Sequence, residues 1–552
     1  MRHDVTLIHV GDFHGHLVPR PDCRQGSNGA HRGGLAHVFT KIEEIRARAQ
    51  HSVLINTGDT VQGSAEVLYT RGQAIVDVLN DFGIDAFAPG NWDFVYGTER
   101  FLELFTGNSP LAPWNALACN LYHVSVGEDA HTSYANQAGQ RVLPPYMLRD
   151  VGGIRLALLG FTTDRGPQAI GQHATRGFRF TTGNSEAEEF IKILREKEGV
   201  ELIVAISELG LANNIRLAEA HPGIDIILSS DMHEETRQPI VTKTGTIIVE
   251  EGQDGTVLGE LRVAVEHGRM TDWNWKFHLI TDALTENVKI ATKIQSVRKT
   301  FMSGPDFIPH RNPFNGSVLS RPIDTVIGHT TKALHRSNFS NQDMPAVIEG
   351  SSHDFLADAF RSQCHADIGA IRGFRYGTHV RAGPIKLEDI FHFIPIGPQI
   401  AVGIIKGEQL KNQIENSAHG ALSPHTTEWT GGWVFNFSGV RFELDPHQEK
   451  GHRAVHIEVN NTSLDIQAEY SYASYWYEQD AELINHISAK NIRVLKDEHG
   501  EPLDATEVVL RYLQSLPNAL VNLELNRIQL LKPLPPPCFG NAEIQPLRGC
   551  KI

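Results

Sequence analysis

Cysteine is scarce in this chain of 552 residues: Cys23, Cys119, Cys364, Cys538 and Cys550 are odd in number, scattered, and form no C-x-x-C pair. A disulfide framework is therefore not expected, and the five read as unpaired thiols in a reducing compartment. Long apolar runs are missing too. No stretch approaches the ~18 apolar residues that span a bilayer, so no membrane association is expected. Met1-Arg2-His3-Asp4 leads directly into Val5-Thr6-Leu7-Ile8-His9-Val10, without the basic stretch, long apolar core and small-residue cleavage site of a secretory signal. The expected location is the cytoplasm, or the periplasm if the chain is a mature form. Clustered Lys and Arg are absent as well. The net charge of −15 is spread without a long acidic run, which argues against nucleic acid as a partner. A negative protein can still act on an anion where metal ions supply local positive charge.

What is present is an ordinary globular composition, 41% apolar and 21% charged, in a chain too long for one core. In the first half, β-branched runs at Val5–Val10, Val53–Asn56, Ile154–Phe161, Leu202–Ile206 and Ile224–Leu228 predict strands. Amphipathic stretches at Gly34–Ala49, Gln73–Phe82, Thr98–Phe105, Ser185–Lys197 and Ala212–Ala220 predict helices between them. Alternation of this kind indicates an α/β fold, a sheet covered by helices. Polar residues collect just after the strands, where such folds bind ligands: Asp12 and His14, Asp59, Glu208, then Asp231 and His233. A single residue of this kind is more often a helix cap; four of the five strands ending this way are not. A helical connector is expected near 286–321, a second domain over 322–531, and a stiff Pro-rich tail over 532–552.

Four segments share one explanation: Gly11-Asp12-Phe13-His14, Gly58-Asp59-Thr60, Gly90-Asn91-Trp92-Asp93 and Ser229-Ser230-Asp231-Met232-His233. Two close divalent cations need a bridging carboxylate, further oxygen or imidazole ligands on each side, and an open position for water and substrate. The order D-x-H, G-D-T-x-Q-G, G-N-x-x-F resembles the calcineurin-like metallophosphoesterases, and within them the 5′-nucleotidase family. Ala357-Asp358-Ala359-Phe360-Arg361, Ala366-Asp367-Ile368 and Phe437-Ser438-Gly439-Val440 are similar to the family's C-terminal, substrate-binding domain. The resemblance implies a four-layer metallophosphoesterase sandwich over 1–285 followed by an α/β domain. It also implies a hydrolase of nucleotides or related small phosphate esters. For the metal site it implies Asp12 and His14 on one ion, Asp59 bridging, and Asn91 on the second.

The chain departs from the family pattern at three places. Glu208 stands where the family has a histidine, and so does Asp231, while His233 matches. Four carboxylates would then face two cations, which favours Mn²⁺, Fe or Mg²⁺ over Zn²⁺ and acidifies a bound water less. The third departure is Trp92, with Val95, in place of a His–Asp dyad that stabilises the phosphoryl transition state. An indole carries neither a proton nor a positive charge to the substrate, which predicts a rate lowered by ~10²–10⁴. His16 and Arg375 are possible stand-ins; the plainer reading of His16 is a surface loop residue. The Trp after Asn91, with Leu143-Pro144-Pro145-Tyr146 and Gly373-Phe374-Arg375-Tyr376-Gly377, is similar to SoxB, which hydrolyses a sulfur–sulfur bond.

The family sandwiches the nucleobase between two rings and holds the phosphate with arginines. By resemblance Phe435 or Phe437 supplies one ring, Tyr475 or Trp476 the other, and Arg372 and Arg375 contact the anion; for Phe437 a place in a strand core is an equal expectation. Three readings follow: nucleotide-like phosphoesterase, thiosulfonate hydrolase, and a catalytically weak binding relative.

Overall fold

A computed structural model describes residues 2–23, 27, 29–124, 139–336, 347–371, 379–425, 428 and 433–534. Arg372 and Arg375, Cys538 and Cys550, and most of the Pro-rich tail lie outside the described residues. The predicted strands form. They run Arg2–Val10, Ser52–Asn56, Ile154–Phe161, Leu202–Ser207 and Ile226–Ser229. The predicted helices follow at Leu35–Arg48, Gln73–Leu79, Thr98–Phe105, Asn184–Lys192 and Leu211–Ala220.

The strands divide between two sheets. Arg2–Val10 pairs in parallel with Ser52–Asn56 at the centre of a five-stranded sheet. Ile154–Phe161, Leu202–Ser207, Ile226–Ser229 and Ile247–Glu250 run parallel through a six-stranded one. Strand alternation gives each sheet two apolar faces. Val5, Leu7, Val53 and Ile55 of the first meet Leu156, Val204, Ile206 and Leu228 of the second in a core between the sheets. The outer face of the first sheet (Ile8, Val10, Leu54) packs on helices Leu35–Arg48 and Gln73–Leu79. That of the second (Leu159, Ile203, Ile227) packs on Asn184–Lys192 and Leu211–Ala220. The result is a four-layer α/β/β/α sandwich. Because the paired strands are parallel, their carboxyl ends open at the same edge.

Helix Val288–Arg298 leads to a second α/β unit. Its five-stranded sheet has the order Asn436–Ser438, Ile368–Ile371, Glu469–Trp476, Gln399–Lys406, Lys490–Val494. One face packs on helix Gly407–Leu422, the other on Ser351–Cys364 and Ala505–Ser515.

Apolar and charged contacts together tie the two units. Ala65 and Leu68 share a small core with Phe301, Ile323, Leu387, Phe391 and Leu510. Beside it, buried Arg20 pairs with Asp389 and lies 3.7 Å from Glu388. Arg298 donates to Glu388 at 2.7 Å and to Glu66 at 2.5 Å. His16, expected at the surface, is instead buried with its ring 4.4 Å from that of His392; the second unit covers the loop that carries it. Removing one member of a buried ion network leaves its partners charged without compensation, at about 3–5 kcal/mol. Arg20→Met is therefore expected to lower the unfolding free energy by an amount in that range, read as a lower denaturant midpoint at unchanged slope. An unchanged midpoint in equilibrium unfolding would contradict this account of the interface.

Candidate metal centre in the interdomain cavity

The carboxyl ends of four neighbouring strands deliver the site. Asp12 and His14 follow Val10, Asp59 follows Asn56, Glu208 follows Ser207, and Asp231 and His233 follow Ser229. Hydrogen bonds lock these loops together: Asp12 N to the Gly58 carbonyl, His14 N to that of Asp59, and Ser230 Oγ to that of Thr57, joining the two sheets at 2.6 Å. Asp12, His14, Asp59, Asp231 and His233 all hold positive φ, between 44° and 80°. Non-glycine residues adopt this region at a cost of about 1–3 kcal/mol each. Backbone strain concentrated on these five side chains marks a site the packing holds in place. Gly90 serves the same end without strain, since a Cβ there would lie 2.2 Å from Asp59 Oδ1.

Two groups of potential ligand atoms result, each with all atoms within 4.8 Å of one another: Asp12, His14, Asp59 and His233, and Asp59, Glu208 and Asp231. Asp59 belongs to both. The Nε2 atoms of His14 and His233 meet at 2.9 Å in a hydrogen bond whose direction depends on the tautomers, which brings two potential ligand atoms to one point. Asn91 donates its amide to Asp231 at 3.0 Å, yet its Oδ1 is buried with no hydrogen bond, as is Glu208 Oε2, while Asp12 Oδ1 lies 3.3 Å from His233 Nε2 and 3.5 Å from His14 Nε2. Buried acceptors are rarely left unsatisfied, so this donor set fits a pair of cations. Electrostatics agree. Burial, then the charges of Asp12, Asp93 and Asp231, push Asp59 well above the usual carboxylate range. Burial, then Asp59 and Asp12, do the same to Glu208. Burial opposes ionisation of Asp12 as well, but His233 and His14 beside it outweigh that and hold its carboxyl low.

Two residues that sequence reasoning passed over complete the site. Asp93 is buried and accepts the backbone N–H groups of Thr60, Val61 and Gly90 at 2.8–3.0 Å. It thereby fixes the Asp59 and Asn91 loops to each other, and its place in a G-N-x-D run was the available signal. Arg165 donates to Asp231 Oδ2 at 2.5 Å. The four carboxylates therefore do not face the cations alone, which corrects the charge count drawn from sequence.

The cluster floors a cavity of about 740 Å³ between the two units, with Trp92 on its wall. Tyr475 and Trp476 line it, together with Trp433, Tyr477 and Phe314. Phe435 and Phe437 are not on that wall. Both are buried in the core beneath helix Gly407–Leu422, their rings stacked 5.9 Å apart, so strand packing prevails over ligand contact there. Among the described residues no helix is long and apolar enough to cross a membrane.

Asp93→Ala would leave three buried N–H groups unpaired at about 1–3 kcal/mol each. It is expected to lower stability by at least 3 kcal/mol and to weaken retention of divalent metal. Metal content after gel filtration equal to that of the unmutated protein would show that Asp93 does not organise the centre.

Comparison with known proteins agrees with this architecture. Residues 5–235 match the family model for calcineurin-like phosphoesterases, and residues 326–482 that for the 5′-nucleotidase C-terminal domain. The trifunctional nucleotide phosphoesterase YfkN of Bacillus subtilis is 22% identical over 489 residues, 84% of this chain but only 30% of that protein. A snake venom 5′-nucleotidase of Gloydius brevicauda is 24% identical over 485 residues, 83% of this chain and 76% of that one. Two solved Thermus thermophilus structures share the fold over 96% of this chain. They are a sulfate thiohydrolase SoxB (TM-score 0.76, 19% identity, 96% of that chain) and a 5′-nucleotidase precursor (0.74, 20%, 99%). With the two models matched in order and the strand-end cluster in place, the chain joins a calcineurin-like phosphoesterase domain to a 5′-nucleotidase C-terminal domain.

Proposed function

We propose that the chain hydrolyses the phosphate ester of a nucleotide or a closely related small molecule in the interdomain cavity. The observation that carries this reading is the pair of ligand groups sharing Asp59 on the floor of a cavity with an aromatic wall. Asp12, His14, Asp59 and His233 would hold one divalent cation; Asp59, Asn91, Glu208 and Asp231 the other. Oxygen-rich ligation favours Mn²⁺, Fe or Mg²⁺ over Zn²⁺. Such a pair, when bound, supplies an activated water and neutralises charge on the reacting group.

The chain's own residues do the rest. Trp92 N donates to Asp59 Oδ1 at 2.7 Å and holds that carboxylate in place. Tyr475, Trp476 and Trp433 offer flat surfaces to a base, worth ~1–3 kcal/mol each and tolerant of base identity. Breadth among nucleotides is the expected consequence. Sequence relatives named for nucleotide phosphoester hydrolysis support the substrate class.

A second reading is favoured by one feature. Trp92 offers no proton to a leaving group, and a sulfur leaving group needs none; the SoxB structure, named as a sulfate thiohydrolase, has the same fold. The test is a panel of AMP, nucleotide sugars, cyclic nucleotides, p-nitrophenyl phosphate and thiosulfonates with Mn²⁺. Phosphate esters are expected to turn over, and activity to fall to background on chelation and in Asp59→Asn. Turnover of thiosulfonates alone would move the assignment to the second reading. Ester turnover indifferent to Asp59→Asn would overturn the first.

A further inference from the structure

The Arg165 guanidinium bonds Asp231 of the carboxylate cluster, and that one bond leaves most of its donors uncommitted. Arg165 follows strand Ile154–Phe161 through Thr162-Thr163-Asp164. That turn is fixed. Buried Thr162 donates through Oγ1 to the Pro89 carbonyl at 2.6 Å, beside Gly90-Asn91, and its N–H bonds Asn120 at 2.9 Å. Thr163 Oγ1 accepts the Arg165 N–H at 3.1 Å.

The side chain spans two environments. One guanidinium nitrogen donates to Asp231, which is 4% exposed, while the Arg165 side chain remains 41% exposed. It lines the cavity together with Asp59, Asn91, Trp92 and His233. Among the described residues its guanidinium hydrogen-bonds only Asp231, whereas a guanidinium carries five N–H donors in a planar fork suited to tetrahedral oxyanions.

Charge makes the same case. Asp12, Asp59, Glu208 and Asp231 would match two divalent cations and leave no surplus positive charge to attract an anion. Trp92 adds none. Asp93 and Asp164 add further negative charge beside the cluster, and Arg165, which lines the cavity as Trp92 does, sets one positive charge against it.

We infer that Arg165 is a catalytic residue that grips the oxyanion of the reacting phosphoryl group, supplying the positive charge that Trp92 cannot. The inference rests on the phosphoester reading above. Asp231 then has two tasks, orienting the guanidinium through one carboxylate oxygen and facing Asn91 and the cluster with the other.

The experiment compares unmutated protein, Arg165→Gln and Arg165→Lys, all loaded with Mn²⁺. It measures bound metal per chain, the Kd for inorganic phosphate by calorimetry, and kcat and KM for AMP and p-nitrophenyl phosphate. Arg165→Gln is expected to keep its metal and its thermal midpoint, to bind phosphate at least tenfold more weakly, and to lose about 10²-fold in kcat/KM. Arg165→Lys is expected to recover part of both. Arg165→Gln with phosphate affinity and kcat/KM within threefold of the unmutated protein overturns the inference. So does loss of metal in Arg165→Gln, which would make the residue a mere partner of Asp231. The two readings fail separately. Unmutated protein that binds phosphate but turns over no ester removes the proposed function, while weaker binding in Arg165→Gln would still uphold the anion contact. Unmutated protein that neither binds phosphate nor turns over an ester overturns both.

Discussion

Four carboxylates brought within a few ångströms of one another, out of water, repel strongly unless cations share their space. The carboxyl edge of the sandwich is built around that constraint. Asp59 sits at its centre, shared by both ligand groups, held by Trp92 N and admitted only because position 90 has no side chain. Burial and mutual repulsion drive Asp59 and Glu208 toward their neutral forms in the absence of a counter-charge. The strained backbone at Asp12, His14, Asp59, Asp231 and His233 is the other side of the same arrangement. Packing of two sheets and their helices holds side chains where neither local conformation nor electrostatics alone would leave them.

Glu208 and Asp231, where the family resemblance leads to an expectation of imidazole, still reach the cluster around Asp59. Glu208 keeps one oxygen on Ser230 and leaves the other toward the cluster. Asp231 is drawn between Asn91 and Arg165. Negative charge gained from one substitution is thus met by a positive group on the adjacent loop, and that group faces the cavity. The second unit completes the enclosure from the opposite side. Its aromatic residues line the cavity, while Arg20, Arg298, Glu66, Glu388 and Asp389 fasten it to the sandwich through buried charge pairs. Such pairs need fixed geometry to offset desolvation, which favours one relative placement of the two units.

Much of this was legible in the residues. The apolar run Ile154–Phe161 and the amphipathic pattern of Thr98–Phe105 matched their elements end to end, because apolar residues there are buried in the strand and on the helix's inner face. The convergence of Asp12, His14, Asp59, Glu208, Asp231 and His233 was legible because each follows a strand, and parallel strands place their ends together; Asn91 was legible only through the family resemblance. Other features were not. Phe435 and Phe437 share the alternation of a ligand-facing strand and of a core strand, and only the packing of helix Gly407–Leu422 decides between them. Burial of His16 depends on His392, far away in the chain. Arg165 carries no local motif; its meaning comes from Asp231, 66 residues on.

The most direct test is a crystal structure of the Mn²⁺-loaded protein with anomalous scattering recorded at the manganese edge. Two peaks on either side of the Asp59 carboxylate, one contacted by His14 and His233 and the other by Glu208, Asn91 and Asp231, are the expected result. A lone peak away from Asp59, or Glu208 and Asp231 turned from the metal, would contradict the account.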